Sequence, residues 1–137
     1  MPYTLGWHPY FESQGNVANC QLNVPLEAYY EVNDQMIPTK EIPFVKSQLD
    51  DFNISQYDTC FKTGKNPIQF SSEKYTVCLE SYPDPDRYLQ IYTPDHQQSI
   101  AVEPMTGIAN AFNNQIGLKT IDPGEKLHKT WRLTRLK

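Results

Sequence analysis

The sequence predicts an all-β fold, an antiparallel β-sandwich, and three observations predict it. Aromatic residues are abundant in a chain of 137: nine Tyr, six Phe and two Trp, side chains that favour strands. Eleven Pro and six Gly punctuate the chain, which suits brief strands joined by turns and not long helices. Apolar residues recur at every second position in several segments, and no long segment repeats at the helical period.

Residues 1–11 read as strand or extended chain. They begin without a polar lead-in, so the chain is expected to start inside a larger unit. Residues 12–19, with Gly15 and Asn16, are a polar loop. Residues 20–25 alternate, with Cys20, Leu22 and Val24 on one face and Gln21 and Asn23 on the other. Ala28–Val32 is a short strand, and Asn33-Asp34 turns the chain after it. Residues 36–44 contain Pro38 and Pro43 and read as irregular; residues 46–55 read as a loop holding at most one helical turn.

Residues 57–62 form the next strand, followed by a turn at 63–66 containing Gly64. Residues 68–70 lead into a turn at 71–74. Residues 75–79 then alternate Tyr75, Val77 and Leu79 against Thr76 and Cys78. Pro83-Asp84-Pro85-Asp86 is a rigid turn before a strand at 87–93, and the pair reads as a hairpin with a long connection. Residues 94–98 turn, 100–103 are strand, 106–117 are irregular and 122–125 turn again. Residues 127–136 close the chain, offering Leu127, Trp131 and Leu133 to the core. There is no internal repeat, and residues 1–137 are read as one domain.

Composition excludes several classes of function. A formal net charge of -4, with no strong basic cluster, argues against a nucleic-acid partner. No apolar run approaches the ~20 residues that cross a bilayer, and no basic-then-apolar order marks a signal peptide. Cys20, Cys60 and Cys78 are odd in number and contain no CxxC pair, so they form neither a disulfide framework nor a zinc site. Free thiols in a reducing compartment place the protein in the cytoplasm. His96 and His128 match no metal-ligand spacing, and no metal is assigned.

Four residues could carry chemistry. His8 sits in the aromatic run Leu5-Gly6-Trp7-His8-Pro9-Tyr10-Phe11, where Pro9 forces extended backbone and Trp7, Tyr10 and Phe11 could wall a pocket for a sugar ring. Read alone, it is first of all a packing histidine. Glu103 ends the apolar run Ile100-Ala101-Val102, where burial would raise its pKa toward that of a useful general base; the plainer reading is a strand-end salt bridge. Asp58 lies among Tyr57 and Thr59-Cys60-Phe61, either a site carboxylate or a charge protecting a sheet edge. Gln90, inside Leu89-Gln90-Ile91-Tyr92, is a substrate ligand or an outward strand amide. There is no activated nucleophile and no phosphate-cradling loop, so the chemistry left is proton transfer by an imidazole and a carboxylate.

These motifs together resemble the aldose 1-epimerase (mutarotase) family. The carriers are Pro2-x-x-Leu5-Gly6-Trp7-His8-Pro9-Tyr10-Phe11, Tyr57-Asp58-Thr59-Cys60-Phe61, Leu89-Gln90-Ile91-Tyr92-Thr93-Pro94, Val102-Glu103-Pro104-Met105-Thr106 with Ala109-Asn110-Ala111-Phe112-Asn113, and Pro123-Gly124-Glu125 before a Trp-containing final strand. They follow the family's order and match the C-terminal portion of its larger domain. The resemblance implies part of a galactose mutarotase-like supersandwich that interconverts the α and β anomers of a glucose- or galactose-type monosaccharide without a cofactor. It assigns Glu103 as general base, His8 as general acid, and Asp58 and Gln90 as partners of sugar hydroxyls. The alternatives are a hexose-6-phosphate epimerase, which needs cationic groups for its phosphate, and a non-catalytic carbohydrate-binding or assembly module. Such a module would pair as a homodimer or with an N-terminal half.

Overall fold

A computed structural model of the chain describes residues 1–45 and 57–137. Twelve short strands appear in order: β1 (Pro2–Tyr3), β2 (Tyr10–Glu12), β3 (Gln21–Asn23), β4 (Ala28–Val32), β5 (Pro38–Pro43), β6 (Asp58–Lys62), β7 (Ile68–Ser71), β8 (Thr76–Tyr82), β9 (Tyr88–Tyr92), β10 (Ser99–Met105), β11 (Lys119–Thr120) and β12 (Thr130–Arg135). A single helical turn, α1 (Ala111–Asn114), follows β10. Among the described residues no helix is long and apolar enough to cross a membrane.

The strands form a six-stranded sheet in the order β2-β10-β9-β6-β4-β5, a four-stranded sheet β12-β8-β7-β3, and a two-stranded ribbon of β1 and β11. Pairing is antiparallel throughout these strands. The core lies between the two larger sheets. Phe11, Phe61, Leu89, Ile91, Ile100 and Val102 face it from one side, and Ile68, Phe70, Val77 and Leu79 from the other. Phe11 stacks on Phe70 with ring centroids 5.4 Å apart. Each such side chain, fully buried, contributes roughly 1.5–3 kcal/mol. Because side chains alternate across a strand, the residues between these face away from the core, and they build the outer face of the six-stranded sheet.

Three expectations are corrected. Residues 36–44 are not irregular: β5 is an edge strand that pairs with β4, with Pro38 and Pro43 at its two ends. Proline lacks the N–H of a ladder donor, so an edge tolerates it where a central strand would not. The segments before and after Pro83–Asp86 are not a hairpin, since β8 pairs with β7 and β12 while β9 pairs with β6 and β10. The turn carries the chain from one sheet to the other. Of the three residues expected in the core near the C-terminus, Trp131 is half-buried against Trp7 (centroids 6.4 Å), but Leu127 and Leu133 are 44% and 45% exposed. Leu133 lies on the outermost strand of its sheet, where burial is least complete. The loop expected at residues 46–55 falls outside the described residues.

The crossing from β8 to β9 is clamped by Asp86. Its Oδ2 accepts hydrogen bonds from Ser81 Oγ and from Trp131 Nε1, each at 2.7 Å. Lys129 Nζ stands 2.8 Å from Oδ1 and donates to the Asp84 carbonyl at 2.8 Å. Oδ1 is buried and accepts no hydrogen bond of standard geometry, so charge attraction satisfies it.

After β10 the chain doubles back so that Gly117 lies against Gly107. Gly117 has φ +76°, and a Cβ there would run into Gly107 Cα and the Thr106 carbonyl oxygen. Gly117→Ala is therefore expected to destabilise the fold by more than ~1 kcal/mol, from strain and from forcing the two loop segments apart. Urea denaturation checks this, and an unchanged midpoint would contradict it.

Candidate active site

The site is a row of side chains laid across the outer face of the six-stranded sheet. Phe11 pairs with Ile100 and Tyr10 with Ala101 between β2 and β10. The same register resumes at the isolated bridge between Gly6 and Met105. Between those points His8 falls opposite Glu103. The backbone there is still tied: Val102 N donates to the Pro9 carbonyl (3.2 Å), Trp7 N to the Pro104 carbonyl (3.1 Å) and Thr106 N to the Leu5 carbonyl (2.8 Å). Pro9 and Pro104 have no N–H to give, so the ladder is incomplete at the histidine. Glu103 in turn pairs with Gln90, and Gln90 with Cys60. One step along the β4–β6 register Tyr30 comes opposite Cys60, and Tyr30 pairs with Glu41. The row therefore reads His8, Glu103, Gln90, Cys60, Tyr30, Glu41. The next row holds Tyr10, Ala101, Tyr92 and Asp58.

The four residues expected at the site thus come together. His8 Nε2 lies 3.2 Å from Glu103 Oε1. Gln90 Nε2 donates to Asp58 Oδ1 at 2.8 Å. Asp58, Gln90 and Glu103 line an open cleft of about 430 Å³, with Leu5, Gly6, Met105 and Ile108 among the apolar walls. His8 stands at its rim with a side chain 54% exposed, whereas that of Glu103 is 13% exposed. A smaller cavity of about 160 Å³ lies on the other side of Leu5, against Asp86 and Lys129, and none of the four site residues lines it. Among the described residues no three His, Cys, Asp or Glu side chains converge as metal ligands.

Burial holds the Glu103 carboxyl above the ordinary glutamate range; the His8 imidazole pulls it down, and the Asp58 carboxylate pushes it further up. A carboxylate so destabilised is a stronger base. Burial, with a smaller contribution from Glu103, pushes the Cys60 thiol up to about 12, so the cleft floor stays uncharged beside that base. At the far end of the row the Tyr30 hydroxyl donates to Glu41 Oε2 at 2.6 Å, and Lys62 Nζ is 2.9 Å from Glu41 Oε1. These two contacts, the tyrosine first, hold Glu41 below the ordinary range, while burial raises the Tyr30 hydroxyl. Sequence reasoning passed over Tyr30 and Glu41; the alternation of Ala28, Tyr30 and Val32 was the signal for Tyr30, and nothing in a segment read as irregular pointed to Glu41.

The Glu103 shift has a consequence for stability. A carboxyl whose folded pKa is raised costs the fold stability when it ionises, and the cost grows as pH rises through the folded value. Glu103→Gln cannot ionise, so it is expected to raise the melting temperature near neutral pH. That gain should shrink as pH falls through the ordinary carboxylate range near ~4. Thermal denaturation across a pH series tests this, and a gain that grew on acidification would contradict it.

Comparison with known proteins bears on this geometry. The chain is 27% identical over 136 residues to YihR, an uncharacterised protein of Escherichia coli K12, covering 90% of this chain and 43% of that one. In structure it resembles a galactose mutarotase-like protein from Clostridium acetobutylicum, with a TM-score of 0.74 at 19% identity, covering 97% of this chain and 46% of that one. It also resembles the Slr1438 protein of Synechocystis sp. PCC 6803, with a TM-score of 0.78 at 20% identity, covering 98% and 45%. The chain thus spans less than half the length of each of these relatives. The likeness to the two solved structures shows the shared fold, an antiparallel β-sandwich of galactose mutarotase-like type. The family model for aldose 1-epimerase matches residues 1–134, and the chain belongs to the aldose 1-epimerase family.

Proposed function

We propose that this chain carries the proton-transfer groups of an aldose 1-epimerase, which interconverts the α and β anomers of a glucose- or galactose-type sugar. The observation that carries the reading is the contact of His8 Nε2 with Glu103 Oε1 at 3.2 Å, beside a cleft lined by Asp58 and Gln90. In this reading Glu103 takes the proton of the anomeric hydroxyl while His8 gives one to the ring oxygen. The ring C–O bond breaks, leaving a free aldehyde, a protonated Glu103 and a neutral His8. Rotation about C1–C2 presents the other carbonyl face, and closure reverses both transfers. The pair ends as it began, so no cofactor is consumed. Asp58 and Gln90 accept and donate hydrogen bonds to sugar hydroxyls and hold the ring against the apolar walls.

The cleft lining favours an uncharged sugar over a hexose 6-phosphate, because among the described residues it holds Asp58 and Glu103 and neither Lys nor Arg. A pure binding or assembly module has no use for a paired imidazole and carboxylate, which favours the enzyme. The chain is read as one part of a larger sugar-binding domain, since it covers 46% and 45% of the two solved structures named above. Polarimetry on freshly dissolved α-glucose and α-galactose tests the proposal. A protein-dependent acceleration of anomer exchange is expected. A rate equal to buffer at high protein concentration would remove the activity from this chain.

A further inference from the structure

We infer that Tyr10 is a positioning residue for His8, holding the imidazole against drift so that its Nε2 stays presented at Glu103. The inference rests on the reading of His8 as the acid. Among the described residues the one polar side-chain contact of His8 is Glu103 Oε1, 3.2 Å from its Nε2. More than half of its side chain is in solvent, and the backbone ladder is incomplete where it stands. A side chain so exposed would sample several rotamers. What limits it is the Tyr10 ring, stacked face to face with centroids 4.9 Å apart and planes inclined by 28°.

The chain places that ring deliberately. His8 and Tyr10 are two apart on one extended segment, so both point to the outer face, and Pro9 between them fixes the backbone angle that sets their rings side by side. Tyr10 is anchored by β2, where it pairs with Ala101, two residues along β10 from Glu103. It leaves 52% of its surface exposed. An exposed tyrosine at the edge of a sheet gains little from the core, and its ring is stacked on the imidazole.

Three variants separate positioning from bulk. Tyr10→Phe keeps the ring and is expected to match the wild type. Tyr10→Leu keeps apolar volume and loses the ring; anomer exchange should slow about two- to fivefold as the imidazole drifts from its place beside Glu103. The loss should fall on kcat with KM nearly unchanged. Tyr10→Ala should do the same or worse.

An independent readout uses no activity. The ring protons of His8, assigned by their disappearance in His8→Ala, should lie upfield from the tyrosine ring current. They should move downfield in Tyr10→Leu, with faster ring motion in carbon relaxation. Unchanged His8 shifts and relaxation in Tyr10→Leu would overturn the inference, whatever the activity. The reading beneath it fails differently: exchange unaltered in His8→Ala removes the acid role while the stacking measurements still stand or fall on their own.

Discussion

Glu103→Gln is expected to lower anomer exchange by roughly 10²–10⁴-fold, the contribution typical of a positioned acid or base. The amide keeps the shape and hydrogen-bonding reach of the carboxyl, so sugar binding and KM should change little while kcat falls. The reasons lie in the geometry: the carboxylate is 13% exposed, its pKa is raised chiefly by burial, and the only imidazole on its row sits 3.2 Å away. His8→Ala should cost a similar factor. Because the two act on one proton cycle, the double variant should be little worse than the worse single variant. Polarimetric rates for the three proteins decide the matter. A Glu103→Gln rate within about twofold of the wild type would end the assignment of this residue as the base.

The largest loss of stability is expected at a residue far from the cleft. Asp86→Ala should cost ~3–5 kcal/mol, the range for breaking one side of a buried ion pair. Asp86 has a side chain 3% exposed and Lys129 one 10% exposed, so water cannot replace the missing charge. The change would also strip Ser81 and the Trp131 indole of their shared acceptor, freeing β12 from the turn that joins the two sheets. Asp86→Leu combined with Lys129→Met removes both charges and should recover much of the loss. Urea denaturation of both variants measures it; a single-variant loss below ~1 kcal/mol would show the pair to be no better than a surface contact.

Much of this architecture was legible in the sequence because alternation is a local signal. Ala28–Val32 reads as a strand and is one, with the predicted ends. The alternation of Cys20, Leu22 and Val24 correctly names the residues that approach the core. Alternation says which residues of a strand face inward, but not which of two facing sheets the strand joins. Hence β8 and β9, adjacent in sequence and both alternating, were read as partners although they lie in different sheets. The edge strand β5 was hidden by its prolines, which signal irregularity until the strand is known to have a free side. At the site, His8, Asp58, Gln90 and Glu103 each have a bland reading, which for His8 and Glu103 is the favoured one when they are taken alone, and only their order along the chain joins them. Their roles rest on the experiments above. Asp86 was read as one residue of a turn, because its partners Ser81, Lys129 and Trp131 are brought to it by two sheets and not by spacing.

The pairing of β2 with β10 sets the order in which the site can be assembled. Strand β10 reaches β9 across a short turn, and β9 finds β6 nearby, so Glu103, Gln90 and Asp58 come together by closing modest loops. His8 meets Glu103 only when Tyr10–Glu12 closes on Ser99–Ala101, the longest loop closure among the six strands of that sheet. Closure entropy rises with loop length, and such distant pairings form slowly. During synthesis His8 emerges well before Glu103 and must wait for the intervening strands before the two can meet. A partly folded molecule would then hold Glu103, Gln90 and Asp58 together with no imidazole beside them, and under the proposed function anomer exchange would appear late on refolding.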